Sequence, residues 1–261
     1  MFRARRIAMT LCAAALTATL GAAAAVPAHA GATSGASAGV DTGTRDRGFQ
    51  DCPALSELPQ GVDPAEWRCE AMTAVGHLRL GRADVPIERP LAITFAEGRV
   101  DGEFHQVFGA MTATPLRVRG TPLSITPRYG GYSDFQSNDE RRGELDLTFG
   151  ISGAGVPPGC SMGSMADPVH LVLKETDPPR VVTSDPLVVA FGVEDNRFEV
   201  PKTSGCGRLG LTLHEMLRLP SPAGVNSISL DARVAMRSYG EGTGTRSGTR
   251  TETETETETN G

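Results

Sequence analysis

Residues Gly159-Cys160-Ser161-Met162-Gly163 match G-x-S-x-G, the turn on which secreted esterases present a nucleophilic serine. Such a turn needs a buried strand running into it and a helix leaving it, because the sharp strand-to-helix corner is what exposes the hydroxyl. Here Pro157-Pro158 precede the motif, and Ala166-Asp167-Pro168 lead into an alternating segment. His170 lies only nine residues beyond Ser161, and a triad would more naturally recruit His214 with Asp177, Asp185 or Asp195. The expectation is a Gly-rich loop carrying a structural cysteine. A small extracellular serine hydrolase built on Ser161 is the alternative.

A second match, Gly205-Cys206-Gly207-Arg208-Leu209-Gly210, imitates the G-x-G-x-x-G phosphate loop of dinucleotide-binding proteins, with Asp231 downstream as the ribose ligand. Polar Lys202, Thr203 and Ser204 stand where a buried strand should run into the first glycine, so these glycines read as a turn and a helix start. His77 and His170 fall on the polar phase of alternating segments, and His105 is out of phase with Phe104 and Phe108, which suits solvated surface histidines. His214 sits near the edge of an apolar helix face, as a packed or capping residue or as a base. Cys160, Met162, Met165 and His170 would suit Cu(I), a soft ion for soft ligands, but only with Cys160 free. No cofactor and no metal are expected.

Compartment decides the cysteines. Arg3, Arg5 and Arg6, the Ala-rich apolar run from Ile7 to Val26 and the small residues of Ala28-His29-Ala30 read as a secretory signal peptide over 1–30, with the mature chain starting at Gly31. Cys12 follows Leu11 inside that run, which argues against lipidation, and no second apolar run approaches the roughly 18 residues of a membrane span. Cys52, Cys69, Cys160 and Cys206 remain, an even number in an exported chain, and therefore read as two disulfides. Four cysteines allow three connectivities. Pairing of neighbours is the expectation, with loop entropies of about 3 kcal/mol for Cys52–Cys69 and about 4 kcal/mol for Cys160–Cys206. A zinc site competes, but the chain has no Cys-x-x-Cys and no paired histidines.

The elements that must position these residues are short strands. Leu145, Leu147, Phe149 and Ile151 alternate with polar neighbours, as do Ile228, Leu230, Ala232, Val234 and Met236, and period two means half-buried strands. Weaker runs occur at Met72–Leu80, Leu91–Phe95, Leu116–Val118, Leu123–Tyr129 and Val169–Leu173, while Leu187–Val193 is apolar on both phases and is expected to be central. Leu209–Leu219 offers one helix, with Leu209, Leu213, Met216 and Leu217 on one face before Pro220 stops it. The predicted fold is mainly β, an antiparallel β-sandwich or small β-barrel with one short C-terminal helix. The single β-rich domain spans 49–239. A disordered leader over 31–48 precedes it, and a Thr/Glu-rich disordered tail over 240–261 follows, the latter a spacer or sugar-attachment site on its functional reading.

Loss of residues 1–30 leaves 22 basic against 31 acidic residues, a net charge of −9. Nucleic acids and anionic membranes are poor partners for such a chain, because both reward clustered Lys and Arg. Tyr129-Gly130-Gly131-Tyr132-Ser133-Asp134-Phe135, Gly159-Cys160 with Pro168-Val169-His170-Leu171, and Leu219-Pro220-Ser221-Pro222-Ala223-Gly224-Val225-Asn226 resemble a group of exported proteins of high-GC Gram-positive bacteria that carry no assigned activity. The resemblance covers Cys52 to about Tyr239 and implies export and paired cysteines, but no catalytic residue. The leading expectation is a secreted, disulfide-stabilised, non-catalytic binding or interaction domain. It would act as a monomer on a cell-envelope or extracellular ligand, and would carry an apolar ligand if the sheet closes into a barrel.

Overall fold

Residues whose side chains alternate between core and solvent pair edge to edge until both faces of the sheet are settled. A computed structural model, which describes residues 48–240, contains eleven strands and one short α-helix. The expected signal peptide over 1–30, nearly all of the expected leader and all but Gly240 of the Thr/Glu-rich tail lie outside the described residues. The strands are β1 (Arg68–Leu80), β2 (Ala83–Val100), β3 (Glu103–Thr112), β4 (Leu116–Arg117), β5 (Ser124–Asp134), β6 (Gly143–Ser152), β7 (Ser161–Met162), β8 (Val169–Ser184), β9 (Leu187–Asp195), β10 (Thr203–Ser204) and β11 (Ser227–Ser238). The helix α1 spans Gly210–Leu217 and follows a 3-10 turn over Gly207–Leu209.

All pairings are antiparallel, and the eleven strands form one sheet that is not closed into a barrel. Its body is the run β5-β6-β8-β9-β11-β1-β2-β3, with β4 added beside β5 and with β7 and β10 attached along the far half of β6. β8 carries the turn of the sheet: Val169–Leu173 pair with β6, and Lys174–Ser184 pair with β9 through three register shifts. β9 has a partner on each edge, as its two-phase apolar pattern predicts.

The edge of β3 and the part of β5 beyond its pairing with β4 meet without a ladder. Side chains close the seam: Phe108 stacks on Tyr129 with centroids 3.7 Å apart, and the Phe135 N–H donates to the Gln106 amide oxygen Oε1 at 2.8 Å. Phe95 of β2 stacks on Phe135 at 4.6 Å on the inner side of the same seam.

One end of this roll is packed solid. Leu213 and Leu217 of α1 join Leu78, Leu80, Ile125, Phe149 and Met162 in the core. The helix ends against the β1–β2 turn, where a Cβ on Gly81 would lie 2.2 Å from the Leu217 carbonyl oxygen. Asn226, 1% exposed, ties that turn to the chain below: it accepts from the Gly81 N–H at 2.8 Å and donates to the carbonyls of Phe198 and Pro222. Met216, expected on the apolar face, is 40% exposed, because Leu213 and Leu217 alone point inward from so short a helix.

The segment 49–67 covers the outer face of β1 and β2. Trp67 is buried with its ring directly over Gly98, where a Cβ would come within 2.6 Å of the indole, and Thr94 Oγ1 donates to the Asp51 carbonyl at 2.6 Å. Cys52–Cys69 fastens this segment to β1, and Cys160–Cys206 fastens the β6–β8 connection to the start of the helical segment. Both pairings are those of sequence neighbours.

Candidate functional site

The two chemical motifs turn out to be two halves of one structural knot. Ser161 lies on β7 opposite Gly150 of β6, and β7 pairs with β10, which precedes the second Gly-rich loop. Cys160–Cys206 crosses between the loops, and Gly205, in the left-handed region at φ 69°, approaches so closely that a Cβ would sit 2.5 Å from the Gly159 carbonyl oxygen. The glycines therefore permit loop-on-loop contact.

Ser161 has no helix behind it and no base beside it. Its hydroxyl donates to the Gly163 carbonyl at 2.8 Å. His170 Nδ1 donates to Asp146 at 2.7 Å on the outer surface of β6 and β8, while His214 Nε2 accepts from the Thr203 N–H at 3.0 Å. The soft-ligand set does not assemble either: Cys160 is oxidised, Met162 is fully buried and Met165 is 67% exposed. His77 pairs with Asp84 at the surface.

Among the described residues an apolar concave feature lies elsewhere, at the end of the roll away from α1. A cavity of about 430 Å³ is enclosed by the inner faces of β1, β2, β3, β6, β8, β9 and β11. Its walls are apolar, with Met72, Ile93, Phe95, Leu147, Phe191 and Leu230 typical of them. The space exists because β1 and β11 place alanines there: Ala74 and Ala232 are register partners and both line the cavity. Larger side chains at these two positions would narrow it.

Polar groups gather at the mouth. Arg68, Glu70 and Glu97 come from adjacent positions of β1 and β2, since Arg68 faces Glu97 across the ladder and Glu70 faces Phe95. Arg68 Nε donates to Glu70 Oε1 at 2.8 Å, and Arg68 Nη2 donates to Glu97 Oε1. Gln106 of β3 donates to Glu97 Oε2 at 3.1 Å, linking the cluster to the seam. Burial, with the Glu97 carboxylate beside it, pushes the Glu70 carboxyl up to about 7 despite Arg68. Across the mouth Arg142 pairs with Glu175, near Gln136 and Ser137.

Sequence reasoning passed over Glu70 and Glu97, although a signal existed. Glu97 continues the phase of Leu91, Ile93 and Phe95, and Glu70 that of Met72 and Ala74. A carboxylate on the apolar phase of a strand must be buried with a partner or face a cavity.

Among the described residues no helix is long and apolar enough to cross a membrane, and no group of three or more His, Cys, Asp or Glu is arranged to hold a metal ion. No family model matches the chain, and no curated protein or solved structure matches it.

Proposed function

We propose that this is a secreted, non-catalytic carrier domain that holds an apolar ligand inside its rolled sheet. The observation that carries the reading is the cavity between the inner faces of seven strands, apolar along its walls and polar only at its mouth. Its size falls within the range of ligand pockets, roughly 300–1,000 Å³. Export is supported by the two disulfides, which persist in oxidising compartments. It also agrees with the basic and apolar pattern of residues 1–30 and with the resemblance to exported proteins of high-GC Gram-positive bacteria.

Titration with the neutral dye N-phenyl-1-naphthylamine tests the reading. One dye per chain should bind with enhanced emission. Ala232→Phe, which places a ring in the space beside Ala74, should weaken binding at least about tenfold, since the dye would have to displace packed side chains. Ala74→Leu, a smaller filling, should weaken it less. Absence of saturable binding, or full binding to both well-folded filled variants, would overturn the carrier reading.

A further inference from the structure

The charges at the cavity mouth do not balance. Of the two cations lining it, Arg142 is committed to Glu175. Arg68 serves two carboxylates at once, donating through Nε to Glu70 and through Nη2 to Glu97. Both carboxylates are buried, with Glu70 6% and Glu97 9% exposed. With both ionised the cluster therefore carries one uncompensated negative charge beside an apolar chamber. Gln106, the polar neighbour from β3, is neutral, and from β11 the residue opposite Glu70 is Met236. On that strand Arg237 turns outward, its guanidinium over the Phe49 ring.

We infer that the cavity's ligand is an amphiphile with a cationic head, an amine or quaternary ammonium on an apolar chain, whose chain lies among Met72, Ile93, Phe191 and Leu230 and whose head meets Glu70 and Glu97. The inference rests on the carrier reading and adds the class of head group. A carboxylate head would find no free cation among the residues lining the cavity, since Arg68 and Arg142 already hold acids. A cation completes the set: one positive charge against the second carboxylate, in a mouth whose low polarity strengthens the attraction. Phe104, also on the rim, offers an aromatic surface of the kind that accepts such a head.

A proton counts the event. The neutral state of the free cluster keeps a proton on Glu70, whose carboxyl is held up to about 7, so binding of a cation below that pH releases the proton to solvent. Affinity for the cation rises with pH through this range and levels off above it. Arg68 and Glu97 face Glu70, Arg142 with Glu175 stand across the mouth, and Glu66 and Arg99 share a neighbouring recess with Arg68, Glu97 and Phe104, Arg99 donating to the Gly102 carbonyl.

The test is displacement of N-phenyl-1-naphthylamine by dodecyltrimethylammonium, dodecanoate and dodecanol, each below its micellar concentration. The quaternary head never titrates, so any pH dependence belongs to the protein. At about pH 8 dodecyltrimethylammonium should displace the dye at a concentration at least about tenfold lower than either competitor, and the margin should shrink several-fold at about pH 6. Glu70→Gln and Glu97→Gln should each remove most of the margin while the neutral dye binds as before. Asp231→Asn, the same charge change on the outer face of β11, should leave the margin intact, which separates the site from general attraction to an acidic protein. Equal or tighter binding of dodecanoate, or a margin that survives Glu70→Gln, would overturn the head-group inference with the carrier reading intact. Failure of the dye itself to bind would sink the carrier reading.

Discussion

A carboxyl group on the inner phase of a strand is a local cost that something else must offset. Glu70 illustrates how: a hydrogen bond donated by the Arg68 guanidinium holds it in place, while burial and Glu97 keep it from ionising in the ordinary range. The sign of its effect on stability follows. Its carboxyl lies at about 7 in the folded protein against an ordinary value of 4.5. Below the ordinary value both folded and unfolded chains hold the proton, and the stabilising contribution is complete. Between the two values the unfolded chain has lost a proton that the folded chain keeps, so stability falls as pH rises and the contribution is gone above about 7. Denaturant unfolding across this window should show a loss of up to roughly 3 kcal/mol in the native chain. In Glu70→Gln that part of the slope should be absent, and an unchanged slope would show that Glu70 is not the titrating group. Glu97 and Glu70 were legible as acids on an apolar phase. Their convergence on one arginine was not, because register between β1 and β2 is written in no short motif. Ser161 shows the converse, a complete motif that lies on the short strand β7 with its hydroxyl given to the Gly163 carbonyl.

Elements were readable where one face meets the core and hidden where neither does. β6 and β11 alternate cleanly because their inner residues are buried and their outer ones solvated. β3 escaped notice because no residue of it is fully buried, and the bulge opposite Thr94/Phe95 breaks its phase, leaving Phe104, Phe108 and Met111 out of simple alternation. The outer half of β8 is exposed from Lys174 to Ser184 and has no burial pattern to display. β3 nevertheless matters most to the shape of the roll, since its seam with β5 depends on side chains rather than on a ladder. Phe108→Ala removes the stack on Tyr129 and should cost roughly 2 kcal/mol, given a half-buried ring and the added worth of an aromatic pair. Hydrogen exchange locates the effect: the Phe135 amide, held by the Gln106 side chain, should exchange faster, while amides of β11 pairing with β1 should slow or speed only by the global change in stability. Uniform acceleration throughout would mean that the seam does not open on its own.

At the scale of the molecule, alternation says that a strand has a buried face and is silent on how the sheet curves, so sandwich and barrel were indistinguishable in the sequence. The curvature comes from the division of β8 between two partners and from the unladdered meeting of β3 and β5. A sheet of eight strands rolled in this way has an interior that side chains can fill or leave open to one small ligand. Here it does both, filled by α1 and its neighbours at one end and open behind Ala74 and Ala232 at the other. A chamber lined by apolar groups forgoes the packing contacts of a filled core, and an apolar occupant restores them. Binding to the folded chain alone then raises stability by mass action, by about 2.7 kcal/mol at a free ligand concentration a hundredfold above its dissociation constant. For a domain of this size that corresponds to a rise in Tm of roughly 5–10 °C. Thermal unfolding monitored by circular dichroism should show this rise with N-phenyl-1-naphthylamine in the native chain. The folded Ala232→Phe variant, its chamber already occupied by its own ring, should show little or none. An equal rise in both would place the dye on the outer surface, against the chamber.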